Sequence, residues 1–139
     1  MPARRALASV TRPVDEKITI NIGCVDLGQI DLLVQEGFYA NRTDLIRTAI
    51  RNQLTIHAAA VREVVSRKTL VLGMQHYTAA DLQAVKAAGE MLQIRVLGLA
   101  SIADDVTPKL ALATIGSLTV LGALHASPAV KAALRDRIG

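Results

Sequence analysis

Tryptophan is missing from this 139-residue chain, and cysteine occurs once, as Cys24. A single cysteine excludes an intrachain disulfide and a zinc site built from cysteines. It fits a reducing cytosol, and Cys24 itself reads as a small buried apolar residue at a junction. Aromatic residues are nearly as scarce, with two Tyr and one Phe. The core must therefore come from Ile, Leu, Val and Ala, and either half of the chain is small enough to need a partner or the other half. No phosphate-binding glycine loop with lysine occurs, and no nucleophile, base and orienter stand at a recognisable spacing. His57, His76 and His125 do not match a zinc signature. The expectation is a non-enzyme with no catalytic residues, no metal and no cofactor. Arg4 and Arg5 precede no continuous apolar stretch before Asp15, so no secretory signal is expected.

Charge is also missing from residues 110–130, which contain no Asp, Glu, Lys or Arg. The length alone would permit a membrane span. Ser117, His125, Ser127 and Pro128 interrupt it, however, and its pattern recurs elsewhere in the chain. A buried strand flanked by helices is expected, with no stable membrane partner. The charge that is present is positive in excess, with a formal +4. That favours anionic partners, without choosing nucleic acid over lipid.

Residues 17–22 alternate. Ile18, Ile20 and Ile22 share one side, and Lys17, Thr19 and Asn21 share the other. So short a strand cannot bury its Ile side alone, and two helical patterns follow it rather than a second strand. Its natural neighbour is the same strand of a second copy, in a two-stranded antiparallel ribbon. A first helix is expected from Asp26, with Asp26 and Gln29 at capping-box spacing, Leu27, Ile30, Leu33 and Val34 as its apolar stripe and Gly37 as its stop. Asn41 and Asp44 repeat the capping spacing. After them Leu45, Ile46, Ala49, Ile50, Leu54, His57, Val61 and Val65 define a helix face. That helix either persists to about Ser66 or breaks near Thr55 and Ile56. His57 is expected at the edge of a core or interface.

The second half repeats. VLGM, VLGL and VLGA place Gly73, Gly98 and Gly122 at intervals of 25 and 24 residues. Helix-compatible segments at 79–92 and 108–115 lie between them, and Ser127 with Pro128 starts another. These are three strand–helix units, suited to a parallel sheet covered on at least one face. Each glycine marks a strand end or a close backbone approach. His76 and Tyr77 are expected in a loop after the first strand, His125 in the equivalent loop after the third, and Asp104 and Asp105 in a polar loop.

Over 17–54 the chain resembles the ribbon-helix-helix family of small transcriptional regulators. KITINI, the Leu27–Ile30–Val34 stripe, EGFYANRTDLI and RTAI correspond to its pattern in order. The resemblance implies an N-terminal ribbon-helix-helix with an intermolecular antiparallel ribbon; with the small parallel-sheet repeat region read from the VLG units, the expected chain is α/β. It implies double-stranded DNA as partner, with Lys17, Thr19 and Asn21 reading bases in the major groove. Asn41, Arg42 and Thr43 would hold a phosphate at a helix N-terminus, and Arg47 would contact the backbone. Ile18, Ile20, Ile22, Leu27, Ile30, Leu45, Ile46 and Ile50 would form the dimer core. Gly23 and Cys24 depart from the family's usual proline and acidic residue.

The expected organisation is a basic arm over 1–14, a DNA-binding and dimerisation domain over 15–54, a helical connector over 55–68 and an oligomerisation or effector domain over 69–139. The expected function is a sequence-specific regulator, a repressor, acting as a homodimer, tetramer or higher oligomer on the nucleoid in the cytoplasm. A self-assembling scaffold and a membrane-associated regulator are the alternatives.

Overall fold

The computed structural model describes residues 14–139, so the basic arm lies outside the described residues except for Val14. The chain divides into two compact units, with the boundary between Val64 and Val65.

In the first unit, residues 15–23 belong to no helix or strand within the chain, and Gly23 is extended. Helix α1 spans Cys24–Gln35, starting earlier than the expected Asp26. Extended Gly23 acts as N-cap without a side-chain bond, so Asp26 falls in the first turn, where its charge complements the helix dipole. The expected capping box therefore does not form, and Gln29 Nε2 donates back to the Val25 carbonyl at 3.4 Å. Cys24, expected to be buried, is exposed at the first helical position. Gly37, at φ 84°, ends the helix, with its own N–H donating to Val34 O and that of Phe38 to Leu33 O. This is a Schellman closure, which satisfies carbonyls the helix cannot.

Helix α2 spans Arg42–Ile56, and α3 spans Ala58–Lys68 and contains the boundary between the units. The helical face breaks at His57, whose ψ of 7° interrupts the path. His57 is exposed there rather than at the edge of a core, with Gln53 Nε2 at 3.4 Å from its Nε2. No residue between 15 and 64 is buried.

The second unit holds the core. Strands β1 (Val71–Tyr77), β2 (Leu92–Ile102) and β3 (Ile115–His125) form one parallel sheet in the order β1-β2-β3. Helices α4 (Ala79–Ala87), α5 (Pro108–Thr114) and α6 (Pro128–Ala133) follow the strands in turn. Segment 79–92 was too generous for one helix: Gly89 closes α4, and Leu92 already belongs to β2. Residue 115 likewise belongs to β3, because α5 runs straight into the strand. Arg137 secures that junction by donating to Leu112 O at 2.6 Å and Ile115 O at 2.7 Å.

The buried face of the sheet, with Ile94, Val96, Ala100, Ile102 and Leu118, packs with Leu82, Leu110, Ala111, Val130 and Leu134 from the helical layer. The other face carries the cross-strand rows Leu72–Leu97–Leu121 and Met74–Leu99–Ala123. Leu72 and Met74 on it are 65 % and 66 % exposed, so one face is covered and the other open. Residues 110–130 are α5, β3 and the start of α6, and among the described residues no helix is long and apolar enough to cross a membrane.

Gly73, Gly98 and Gly122 lie side by side across the sheet at φ 127°, 140° and 120°. They sit within the strands rather than at their ends. A Cβ on Gly98 would strike the Gly73 carbonyl oxygen, and one on Gly122 would strike that of Gly98. These are the close backbone approaches that the repeated VLG motif foretells.

Two stability predictions follow from these backbone positions. Gly98→Ala meets both a backbone oxygen and a disfavoured φ, and should lower unfolding free energy by about 3 kcal/mol or more in urea titration. Thr69 ends α3 in a Schellman closure at φ 55°, although it is β-branched. Thr69→Gly should therefore raise stability by about 0.5–1 kcal/mol in the same assay.

Candidate nucleic-acid interface

Lys17, Thr19 and Asn21 lie on the irregular segment ahead of α1, and all three are exposed. So are the isoleucines between them: Ile18 is 76 % exposed and Ile20 69 %. In a strand, their alternation would put the two sets on opposite sides. Of the proposed dimer-core residues, Leu27, Ile30 and Leu45 are half-buried within the unit, whereas Ile22, Ile46 and Ile50 remain exposed. Leu54 and Ile56 extend the exposed apolar set along α2.

The N-terminus of α2 is built as its sequence indicates. Asn41 Oδ1 accepts from the Asp44 N–H at 2.8 Å, and Asp44 Oδ2 accepts from the Ala40 N–H at 3.0 Å. The N–H groups of Arg42 and Thr43 belong to the first turn, which has no intrahelical carbonyl to offer them. With the helix dipole they make a favourable place for an anion. Arg47 lies exposed further along α2.

Arg42 is not simply displayed to solvent. Its Nε donates to Asp31 Oδ1 at 2.7 Å and its Nη2 to Asp31 Oδ2 at 2.8 Å, a paired contact tying α2 to α1. Hydrogen bonding from Arg42, aided by its charge, holds the Asp31 carboxyl below the usual Asp range, and the same contact raises Arg42 further. Sequence reading missed Asp31, because its partner lies eleven residues on, across a turn, where no helical spacing applies.

The remaining candidates do not assemble. His76 and Tyr77 are the last residues of β1, and His125 is the last of β3, so all three lie within strands rather than in the expected loops. Burial raises the Tyr77 hydroxyl pKa. Asp104 and Asp105 do form a turn, and Asp105 Oδ1 accepts from the Ala79 N–H at the start of α4, at 3.1 Å. Among the described residues no group of three or more His, Cys, Asp or Glu could hold a metal ion.

The Asp31–Arg42 contact makes a pH-dependent prediction. The folded Asp31 pKa is lowered, so the contact's contribution is present at neutral pH and fades as pH falls through the acid range. In a carboxyl NMR titration Asp31 should titrate below an ordinary Asp, and should return to the ordinary range in Arg42→Ala.

No curated protein and no solved structure matches the chain. A family model does: that of the ribbon-helix-helix transcriptional regulator family, over residues 13–131. The match begins ahead of the segment that leads into α1, runs through α1 and α2, and continues across the parallel sheet into α6. The αβ unit thus falls within the family pattern. By this match over most of its length, the chain belongs to the ribbon-helix-helix transcriptional regulator family.

Proposed function

We propose that this DNA-binding regulator is a sequence-specific repressor, working on nucleoid DNA in the cytoplasm as a dimer whose 17–22 segments pair antiparallel. One observation carries the reading. The first unit buries no residue of its own, yet it holds three exposed isoleucines alternating with three polar residues. Pairing two copies gives Ile18, Ile20 and Ile22 a shared place to bury, along with Ile46 and Ile50 of α2. Leu27, Ile30 and Leu45 complete that core. Each fully buried isoleucine is worth about 1.5–3 kcal/mol relative to exposure, so the five together are of the same order as the backbone cost of ordering residues 17–22.

The same pairing lays Lys17, Thr19 and Asn21 of both copies along one side. A two-stranded ribbon fits the major groove, where Lys meets guanine acceptors, Asn makes a paired contact with adenine, and Thr meets a polar edge or a methyl group. The N-terminus of α2, with Asn41, Arg42 and Thr43, holds a backbone phosphate, and Arg47 adds a further backbone contact. Asp31 orients Arg42 for this task. Residues 15–54 form the DNA-binding and dimerisation domain, 55–68 the helical connector, and 69–139 a domain that assembles dimers into tetramers or larger species.

Band-shift titrations at several salt concentrations test the reading. Specific binding should fall steeply as salt rises, because phosphate contacts release counterions. Asn21→Ala should cut discrimination between operator and non-operator DNA by about 5- to 100-fold with dimerisation retained. Arg42→Ala should weaken binding to all sequences and reduce the salt slope by about one per lost contact. Equal weak binding of the wild-type chain to all fragments would contradict sequence-specific recognition.

A further inference from the structure

Both outer edges of the sheet carry the VLG motif. β1 has no hydrogen-bonded neighbour on its outer side among the described residues. On the outer side of β3, the chain end pairs only near the strand's start, through Leu118 with Ile138 and the Gly139 N–H. From Val120 onward no strand lies beyond β3 among the described residues.

These edges match by construction. Gly98 is received by the backbone of Gly73, and Gly122 by that of Gly98, each carbonyl pointing at the next glycine's Cα. The Gly122 carbonyl accordingly points off the outer edge of β3. The position a Cβ would take on Gly73 meets nothing within 4 Å, although Gly73 shares the unusual backbone of the other two. The edge β3 offers is thus the kind β2 offers to β3, and the edge β1 offers is the kind β3 presents to β2. The helical layer continues the match. α4 packs on α5 and α5 on α6, and past α6 a shallow depression is lined by Pro128, Lys131, Ala132, Arg135 and Ile138.

We propose that the αβ unit docks edge to edge with a second copy of this chain, β3 of one pairing in parallel with β1 of the next, Gly122 against Gly73. The proposal rests on reading 69–139 as an assembly domain and names the surface that does it. The α4 helix of the incoming copy would settle over the depression beside α6. Open edges of this kind invite strand addition, and stacked repeats need their ends covered. The contact is head-to-tail, so it propagates unless a ring closes it.

Register supplies the test. Met74 aligns with Leu99 and Leu99 with Ala123, so Met74 of one copy would face Ala123 of the next. Within one chain β2 separates these positions by about 9.6 Å, two strand spacings, beyond disulfide reach. Full-length Cys24→Ser chains carrying Met74→Cys or Ala123→Cys are oxidised gently, without DNA, separately and mixed. The mixture should form a covalent dimer while neither variant alone does, and a chain carrying both changes should form a ladder of multimers. Self-linking of Met74→Cys would mean antiparallel β1 pairing or packing of the open faces, and would overturn the proposal, as would no linking at all. The assay is repeated with Ile20→Lys, which disrupts the ribbon. Edge linking should persist there while DNA binding is lost, so failure of one reading is distinguishable from failure of the other.

Discussion

Among the described residues nothing buries the isoleucines at 18, 20 and 22, and much of the molecule's logic depends on that. An extended segment has no helix dipole, cap or internal hydrogen bond to hold it in place. Its backbone donors and acceptors need a partner strand as much as its side chains need a dry surface. No residue of 15–64 is buried, so the first unit lacks an independent core. The proposed pairing with a second copy would meet both needs at once and would present the polar alternates as a paired surface.

The second unit follows a different constraint. Its strands approach so closely at Gly73, Gly98 and Gly122 that a side chain on either of the last two would strike backbone. This fixes the parallel register and leaves the apolar residues on one side of the sheet to the helices. Arg137, Asp105 and the Schellman closures attend to the helix ends and junctions. The second unit has its core within one chain, whereas the first buries none of its described residues, and the family match spans both.

Much of this was legible beforehand. The VLG repeat announced the sheet, its parallel sense and the glycine contacts, because a steric demand for glycine leaves a mark at fixed intervals. Asn41 with Asp44, and Gly37, announced helix ends, because caps are local. What escaped depended on distance or on backbone detail. Gly23 capped α1 without a side chain, so the helix began earlier than its first polar residue suggested and brought Cys24 to the surface. The ψ of His57 broke a face that periodicity alone left open. His76 and His125 proved to be strand residues because these strands run well past their VLG motifs. The Arg42–Asp31 contact joins two helices across a turn, and neither residue's neighbours signal it. Among the residues proposed for DNA contact, the alternation and the helix start were legible in the sequence, while the Arg42–Asp31 pairing came from the folded unit.

Amide hydrogen exchange over residues 17–22 tests intermolecular pairing most directly. Within one chain these residues belong to no strand, so an unpaired segment would exchange at close to the rate of an open peptide. The account predicts protection of the ladder amides in the concentrated protein and its loss on dilution or in Ile20→Lys. Rapid exchange throughout 17–22 in a chain that still binds DNA specifically would contradict it.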